Sequence, residues 1–335
     1  MKNVRAIFSE SVDPYLNLAF EEWLLGNIQP GDAVLYLWRN KNTVVIGRCQ
    51  NPWAECQIDL MNNEHVTLAR RPSGGGAVFH DLGNTNFTFL NHASEFNKNT
   101  NTQIIIESLR SLGVTASPSG RNDILVDGRK VSGSAFRETL TGCFHHGTLL
   151  VDVDLQVMSK YLTPDQSKLA SKGVSSIQAR VANLNSFCPD LNYEKLSEHI
   201  IESFRSTYGV PAITCESFSE KQMRSLSGFS SYVEKFSSWS WLYGKTPLFT
   251  HKMSGRFVWG GMEILFEVKN GLIEGVRIFS DCLDPDLIEN MEKSIKARKY
   301  EKKSVADELL KVMKNHKFSN EEISSFEEWL NAQWK

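Results

Sequence analysis

The sequence predicts an α+β protein with a larger first domain over residues 1–246 and a smaller one over 247–335. Three observations lead there. Short alternating strands come in hairpins joined by tight turns, as at Asp127-Gly128. Amphipathic helical stretches stand between the hairpins and do not alternate one for one with strands, which disfavours a doubly wound parallel sheet. After Trp239-Ser240-Trp241-Leu242-Tyr243-Gly244 the strand pattern restarts, marking a new α+β unit linked near Lys245-Thr246-Pro247.

Asp13-Pro14 predicts the first helix, with a side-chain cap and proline at the first helical position. Leu16, Ala19, Phe20, Trp23 and Leu24 recur on one face, Glu21 and Glu22 are expected to point away, and Gly26 ends it. Val34 to Trp38 and Thr43 to Ile46 read as paired strands. Val66 to Ala69, Ala77 to Phe79 and Asn86 to Leu90 read as three more, with Asp81-Leu82-Gly83-Asn84 as a turn. Thr100 is the expected cap of a helix carrying Ile104, Ile105, Leu109 and Leu112 and stopping at Gly113. Asp123 to Val126 and Arg129 to Phe136 form the hairpin about Asp127-Gly128, and a period of two puts Lys130, Ser132 and Ser134 on one face. Cys143 to Val151 is a further strand. Residues 163–180, with Lys172-Gly173, lack a period and read as a surface loop. Leu196, Ile200, Phe204 and Tyr208 mark a helix ending at Gly209. In the smaller domain Phe257 to Trp259, Met262 to Lys269 and Leu272 to Phe279 are strands, with Asn270-Gly271 as a turn and helices across 285–332.

Composition excludes several classes. Hydrophobic residues make up 41% and charged residues 23%, and the net charge is −2, against the basic face that nucleic acid requires. No apolar run reaches the roughly 20 residues of a membrane span, and the N-terminus lacks a signal peptide's apolar core. The six cysteines are scattered without Cys-x-x-Cys, as in a protein of a reducing compartment. A cytoplasmic protein is the expectation.

The chemistry concentrates in Arg70-Arg71-Pro72-Ser73-Gly74-Gly75-Gly76. Three glycines weaken regular structure, and backbone N–H groups without a Cβ can approach an anion closely. Arg70 and Arg71 would add charge beside them. The bland alternative is a flexible connection with a solvated arginine pair. Neither a P-loop nor a dinucleotide fingerprint fits. Lys130, after Asp-Gly, is either a solvated lysine or a cation for the same anions. His145-His146 does not suit a metal, because strand neighbours point to opposite faces.

These segments, with Arg121-Asn122-Asp123, Arg129-Lys130-Val131-Ser132-Gly133-Ser134-Ala135, His145-His146-Gly147-Thr148, Gln50-Asn51-Pro52-Trp53 and Phe257-Val258-Trp259-Gly260-Gly261, closely resemble the bacterial lipoate–protein ligase A family over nearly the whole chain. Pro72 stands where that family varies, and the turn before Lys130 is a few residues shorter than in its enterobacterial member. The resemblance implies a biotin/lipoyl protein ligase-like mixed-sheet catalytic domain that binds lipoate and ATP, and a C-terminal accessory domain. It implies activation of free lipoate, and of octanoate, by ATP with Mg²⁺ to the acyl-adenylate. Transfer would follow to a lysine on lipoyl domains of 2-oxoacid dehydrogenase complexes and on glycine cleavage H protein, by a monomer without nucleic acid. It places Arg71, Gly76, Ala77, Val78, Phe79 and Lys130 on ATP. Lys130 also meets the lipoate carboxyl, with Arg70 and Ser73 flanking the adenylate. Asp123 either positions Mg²⁺ or caps its hairpin, and the 163–180 loop would fold over the adenylate. Trp239 and Trp241 are expected in the core. The rivals are a carrier-dependent transferase acting through a Cys143 thioester, disfavoured by retention of the full glycine loop, and a non-enzymatic binder, disfavoured because Lys130 and that loop are intact.

Overall fold

The computed structural model describes residues 3–120, 122–162, 181–243, 251–269 and 271–333. Arg121, residues 163–180 where a surface loop is expected, residues 244–250 where the link is expected, and Asn270 lie outside them. The chain separates into two compact units. The first comprises Met1–Val45, Glu55–Arg70 and Ala77–Leu242, and the second comprises Ile46–Ala54, Arg71–Gly76 and Tyr243–Lys335.

The first unit is built on an eight-stranded mixed sheet. Its strands are β1 (Asn3–Ser9), β2 (Asp32–Trp38), β6 (Asn84–His92), β7 (Ala116–Ser119), β8 (Asp123–Val126), β9 (Arg129–Glu138), β10 (Gly142–Leu150) and β11 (Thr214–Phe218), in the order β11-β1-β2-β6-β10-β9-β8-β7. β1 runs parallel to β11 and β2, and the remaining pairs are antiparallel. A smaller sheet orders β4 (Thr67–Arg70), β3 (Thr43–Ile46) and β5 (Val78–His80).

Helix α1 (Pro14–Gly26) begins as its sequence predicts: the Asp13 carboxylate accepts from the Tyr15 and Leu16 N–H groups, and Pro14 occupies the first turn. With α4 (Phe229–Ser237) it covers one face of the large sheet, burying Phe20, Tyr36, Leu90, Phe144, Phe229 and Phe236 together. α2 (Lys98–Ser111) and α3 (Tyr193–Tyr208) cover the other face over Leu35, Phe87, Phe89, Ile105, Leu149 and Phe204. The α2 cap is Asn97, three residues before the expected Thr100; its side chain accepts from the Asn99 and Thr100 N–H groups. α3 ends at Gly209, whose φ of 64° suits a residue without Cβ.

In the second unit β12 (His251–Phe257), β13 (Gly260–Lys269) and β14 (Leu272–Ser280) form an antiparallel sheet packed by α5 (Pro285–Ile295), α6 (Lys302–Lys314) and α7 (Asn320–Ala332) around Ile264, Phe266, Leu287, Met291, Leu309 and Phe326. The strand expected over 257–259 ends at Phe257, and Val258-Trp259 makes the turn into β13. No helix among the described residues is long and apolar enough to cross a membrane.

Candidate active site

The β8–β9 hairpin carries the lysine that the sequence points to. Asp127 and Gly128 take φ of 48° and 74°, the pair of positive values that a tight two-residue hairpin turn requires. Beyond the turn the pairing slips. Leu125 faces Lys130, but the next pair is Ile124 with Ser132, so Val131 and Ser132 together oppose Ile124. This is a β-bulge, and it changes the facing of every side chain on one side of it. Val131 and Ile124 enter the core under α2 and α3, and Ser132, facing Leu149 in β10, joins that side. Lys130 is turned to the opposite face, with Gly133. The expectation that Lys130, Ser132 and Ser134 share one face is therefore corrected: strict alternation fails across a bulge.

On the α1 face, cross-strand pairing sets a row of residues side by side: Trp38 of β2, Asn86 of β6, Thr148 of β10, Gly133 of β9 and Asp123 of β8. The Lys130 Nζ lies over Gly133 and 2.7 Å from Asp123 Oδ1, and both charged side chains are about one-third exposed. The Thr148 hydroxyl lies 3.4 Å from both the Gly133 N–H nitrogen and its carbonyl oxygen. The lysine thus sets its ammonium on a floor of small and polar residues. The Asp123 carboxylate pairs with Lys130 through Oδ1 and stays about one-third exposed. One partly open carboxylate suits Mg²⁺, which is commonly held by one or two acids together with phosphate oxygens and water. No cluster of three His, Cys, Asp or Glu among the described residues suits a metal held by protein alone.

Two residues farther along the same strands lies a buried polar group that the sequence did not disclose. Glu21 is fully buried, not outward-facing. Its Oε1 accepts from the Thr88 hydroxyl at 2.7 Å and sits 2.8 Å from His146 Nδ1, while Thr88 accepts from Trp38 Nε1 at 3.1 Å. Helical periodicity assigns one apolar face, but α1 is packed by both the sheet and α4, so its buried arc is wider than the stripe. Asn17, one turn before Glu21 and also buried, is the only sequence signal of that polar edge.

His145 points the other way, among the rings of Phe87, Phe89 and Phe136, and neither ring nitrogen has a hydrogen-bond partner among the described residues. Burial, with smaller pushes from His146 and Lys98, lowers its pKa from 6.5 to about 3. The folded protein therefore holds it neutral, while the unfolded chain gains a proton below about pH 6.5. Stability should fall as pH drops from about 6.5 toward 3, by at most about 1.4 kcal/mol per pH unit from this group. Thermal unfolding of wild type and His145→Phe between pH 7 and pH 4.5 checks this: the substituted protein should show the shallower loss.

Cys143 is buried, and burial raises its thiol above the ordinary range, the opposite of an activated nucleophile. Cys143→Ser should leave at least about half of the ligase rate in a lipoylation assay, because a thiol held protonated contributes no nucleophile. Complete loss in a folded variant would restore the thioester route.

Arg70 ends β4, and its guanidinium donates to the Leu242 carbonyl from Nε at 3.1 Å and Nη2 at 2.6 Å. The Arg70 carbonyl accepts from Trp241 Nε1 at 2.8 Å. Trp241 is half-buried against Phe236, but Trp239 is 60% exposed and departs from its expected place in the core. Val78 packs partly buried beside the α1 core, and Phe79 is buried with its ring 5.8 Å from that of Tyr161. Ala77, between Gly76 and β5, is half-buried.

Arg71, Ser73 and the three glycines belong to the second compact unit. The Arg71 N–H donates to Ile46 O, the Arg48 N–H to Ser73 O, and the Gly75 N–H to Cys282 O, at 2.9 to 3.1 Å. The Arg71 guanidinium donates to the carbonyls of Gly74, at 2.8 and 3.1 Å, and of Gly76, at 2.7 Å. Ser73 is fully buried. The loop is thus closely packed, and its arginine binds the loop's own carbonyls. The structure brings Lys130 together with Asp123 in one unit, and Arg71 together with Gly74 and Gly76 in the other.

Comparison with known proteins gives the family of the chain as a whole. The family described as Lipoyl protein ligase A/B catalytic domain matches residues 13–205, and Bacterial lipoate protein ligase C-terminus matches 246–330. The chain is 43% identical over 334 residues to lipoate-protein ligase A of Bdellovibrio bacteriovorus, covering 98% of each. It is 44% identical over 332 residues to that of Psychrobacter cryohalolentis, again covering 98% of each. Among solved structures it is similar to P. falciparum LipL1 in complex with lipoate, with TM-score 0.85 and 32% identity over 98% of this chain and 99% of that one. It is also similar to a lipoate-protein ligase A bound with ATP, with TM-score 0.63 and 26% identity over 73% and 99% of the two chains. A bipartite lipoate protein ligase and its E2 lipoyl domain from Thermoplasma acidophilum give TM-score 0.63 and 27% identity over 75% and 100%.

Proposed function

The chain belongs to the lipoate-protein ligase A family, and we propose that it joins free lipoate to ATP as lipoyl-AMP and then passes the acyl group to a lysine of an acceptor lipoyl domain. The observation that carries the chemistry is the Lys130 ammonium, held 2.7 Å from Asp123 on the floor formed by Gly133 and Thr148.

In the first step a lipoate carboxylate oxygen attacks the α-phosphorus of ATP, the bond from that phosphorus to the bridging oxygen breaks, and pyrophosphate leaves. Both reactants are anions, so repulsion opposes their approach. Lys130 offers a compact ammonium with three donors that can reach oxygens lying in different directions, one set on the carboxylate and one on the α-phosphate. Arg71 with Gly76, Ala77, Val78 and Phe79 completes the proposed ATP contacts, and Arg70 and Ser73 flank the acyl-adenylate. Mg²⁺, held at Asp123, would screen the charge of the phosphates.

In the second step the acceptor amine attacks the acyl carbonyl carbon, AMP departs, and the nitrogen loses a proton. Negative charge gathers on the carbonyl oxygen, where a fixed cation stabilises the transition state. Lys130 serves again. We assign as acceptors the lipoyl domains of 2-oxoacid dehydrogenase complexes and glycine cleavage H protein, and as setting the cytoplasm. The T. acidophilum lipoylation system, a bipartite lipoate protein ligase and its E2 lipoyl domain, supports the acceptor class. Lipoate-dependent exchange of labelled pyrophosphate into ATP tests the first step directly. Exchange that requires both lipoate and Mg²⁺ is expected, and its absence from folded protein would reject the proposal.

A further inference from the structure

We propose that Gly133 is a positioning residue for Lys130, its missing side chain being the seat on which the ammonium rests. This rests on the role given to Lys130 above. The β-bulge at Val131 and Ser132 brings Lys130 and Gly133 to one face. A Cβ built on Gly133 would lie 2.8 Å from Lys130 Nζ and 2.9 Å from its Cε, inside the distance that real Cβ atoms keep. The third nearest atom is Asp123 Oδ1 at 3.7 Å, an ordinary contact. The lysine tip therefore fills the volume that any other residue's Cβ would take.

Nothing in the backbone asks for glycine at this place. Gly133 is absent from the positive-φ residues, and it sits inside a strand that pairs on both sides. Glycine in a strand interior weakens it and commonly marks a close approach by another group. Here the approaching group is the ammonium itself. Gly147, on the neighbouring strand β10, is different: a Cβ there would meet the Phe87 ring at 2.4 Å and the Gly133 carbonyl at 3.0 Å, so packing alone explains it.

The consequence separates activity from stability. Alanine at 133 meets only the end of a flexible side chain, which can swing away. The fold should be unharmed, and the strand gains by losing glycine's extra chain entropy. The ammonium, however, must leave its place beside Asp123. A displacement of about 1 Å in a reacting constellation is enough for a loss of roughly 100-fold.

The test compares wild type, Gly133→Ala, Lys130→Ala and the double variant. Gly133→Ala should melt at or above the wild-type temperature. Its pyrophosphate exchange should fall about 10- to 100-fold in kcat, with KM for ATP changed less. The lysine ε-CH₂ resonance that vanishes in Lys130→Ala should shift in Gly133→Ala. The double variant should be no slower than Lys130→Ala alone, because Gly133 acts only through that side chain. A lowered melting temperature, an unmoved resonance, or unchanged exchange in Gly133→Ala would each overturn the inference. If Lys130→Ala itself exchanged normally, the catalytic reading would fall instead, so the two failures are distinguishable.

Discussion

Lys130→Ala should lower lipoate-dependent pyrophosphate exchange by about a thousandfold or more. One preorganised donor aimed at developing charge typically contributes 10²–10³ in rate, and this cation is proposed to serve two reacting anions at once. The loss should not reflect unfolding. Lys130 is about one-third exposed and its partner Asp123 equally so, and exposed ion pairs contribute at most about 1 kcal/mol. The melting temperature should therefore stay close to that of wild type while exchange collapses. Arginine at 130 should restore little, because a planar fork cannot hold oxygens that lie in different directions. Exchange within about tenfold of wild type in Lys130→Ala would remove the lysine from the first step, since a single preorganised donor contributes more than that.

Gly74→Ala and Gly76→Ala should separate sharply, although the two positions are neighbours in one glycine run. A Cβ on Gly74 would fall 2.1 Å from the Cys282 carbonyl oxygen and 2.8 Å from Leu283 Cα. Both are backbone atoms within the same unit, so relief requires the chain itself to move. The expected cost is at least about 1–3 kcal/mol, the usual penalty for forcing an extra carbon into a packed site. A lower unfolding midpoint and faster proteolysis of the segment should report it. Gly76 has nothing within 4 Å of its would-be Cβ and no positive φ, so alanine there should change stability by less than about 0.5 kcal/mol. Any loss of exchange in Gly76→Ala is then a property of the site. Gly75 stands between them, with φ of 91° and a would-be Cβ 2.9 Å from Arg71 Nη2, so its substitution is strained in any case. Equal stability effects at 74 and 76 would contradict this division.

Close packing also changes how the arginine loop is understood. An anion-binding loop was expected from two arginines and three glycines, with free N–H groups as the attraction. In the structure the Gly75 N–H donates to Cys282 O, and the Arg71 side chain clamps Gly74 and Gly76. Binding a phosphate through these groups would exchange protein acceptors for ligand oxygens. Such an exchange favours charge-assisted contacts, because an ionised acceptor strengthens the hydrogen bond roughly twofold.

Much of the architecture was legible in the residues alone. The Asp13-Pro14 helix start, the Asp127-Gly128 turn, the Gly209 helix end and the mixed α+β class all appear in the fold. Each is a local matter: a capping side chain, a permitted φ, or a short-range period that acts the same way wherever the segment lies. The presence of Lys130 beside a hairpin was equally readable, and its family resemblance supplied a role.

Three features were decided by partners distant in the chain. The bulge opposite Ile124 turns Lys130 away from Ser132, and only the register of β8 against β9 could place it. Glu21 is buried because two different elements close over α1, and a single helix's periodicity carries no record of a second covering layer. Gly133 and Gly74 are needed for what approaches them, an ammonium in one case and a carbonyl in the other. Local propensity depends on a residue and its near neighbours, so the sequence determined the elements and the lysine. Facing, burial and close approach are properties of pairs brought together by folding, and the tertiary structure alone decided those.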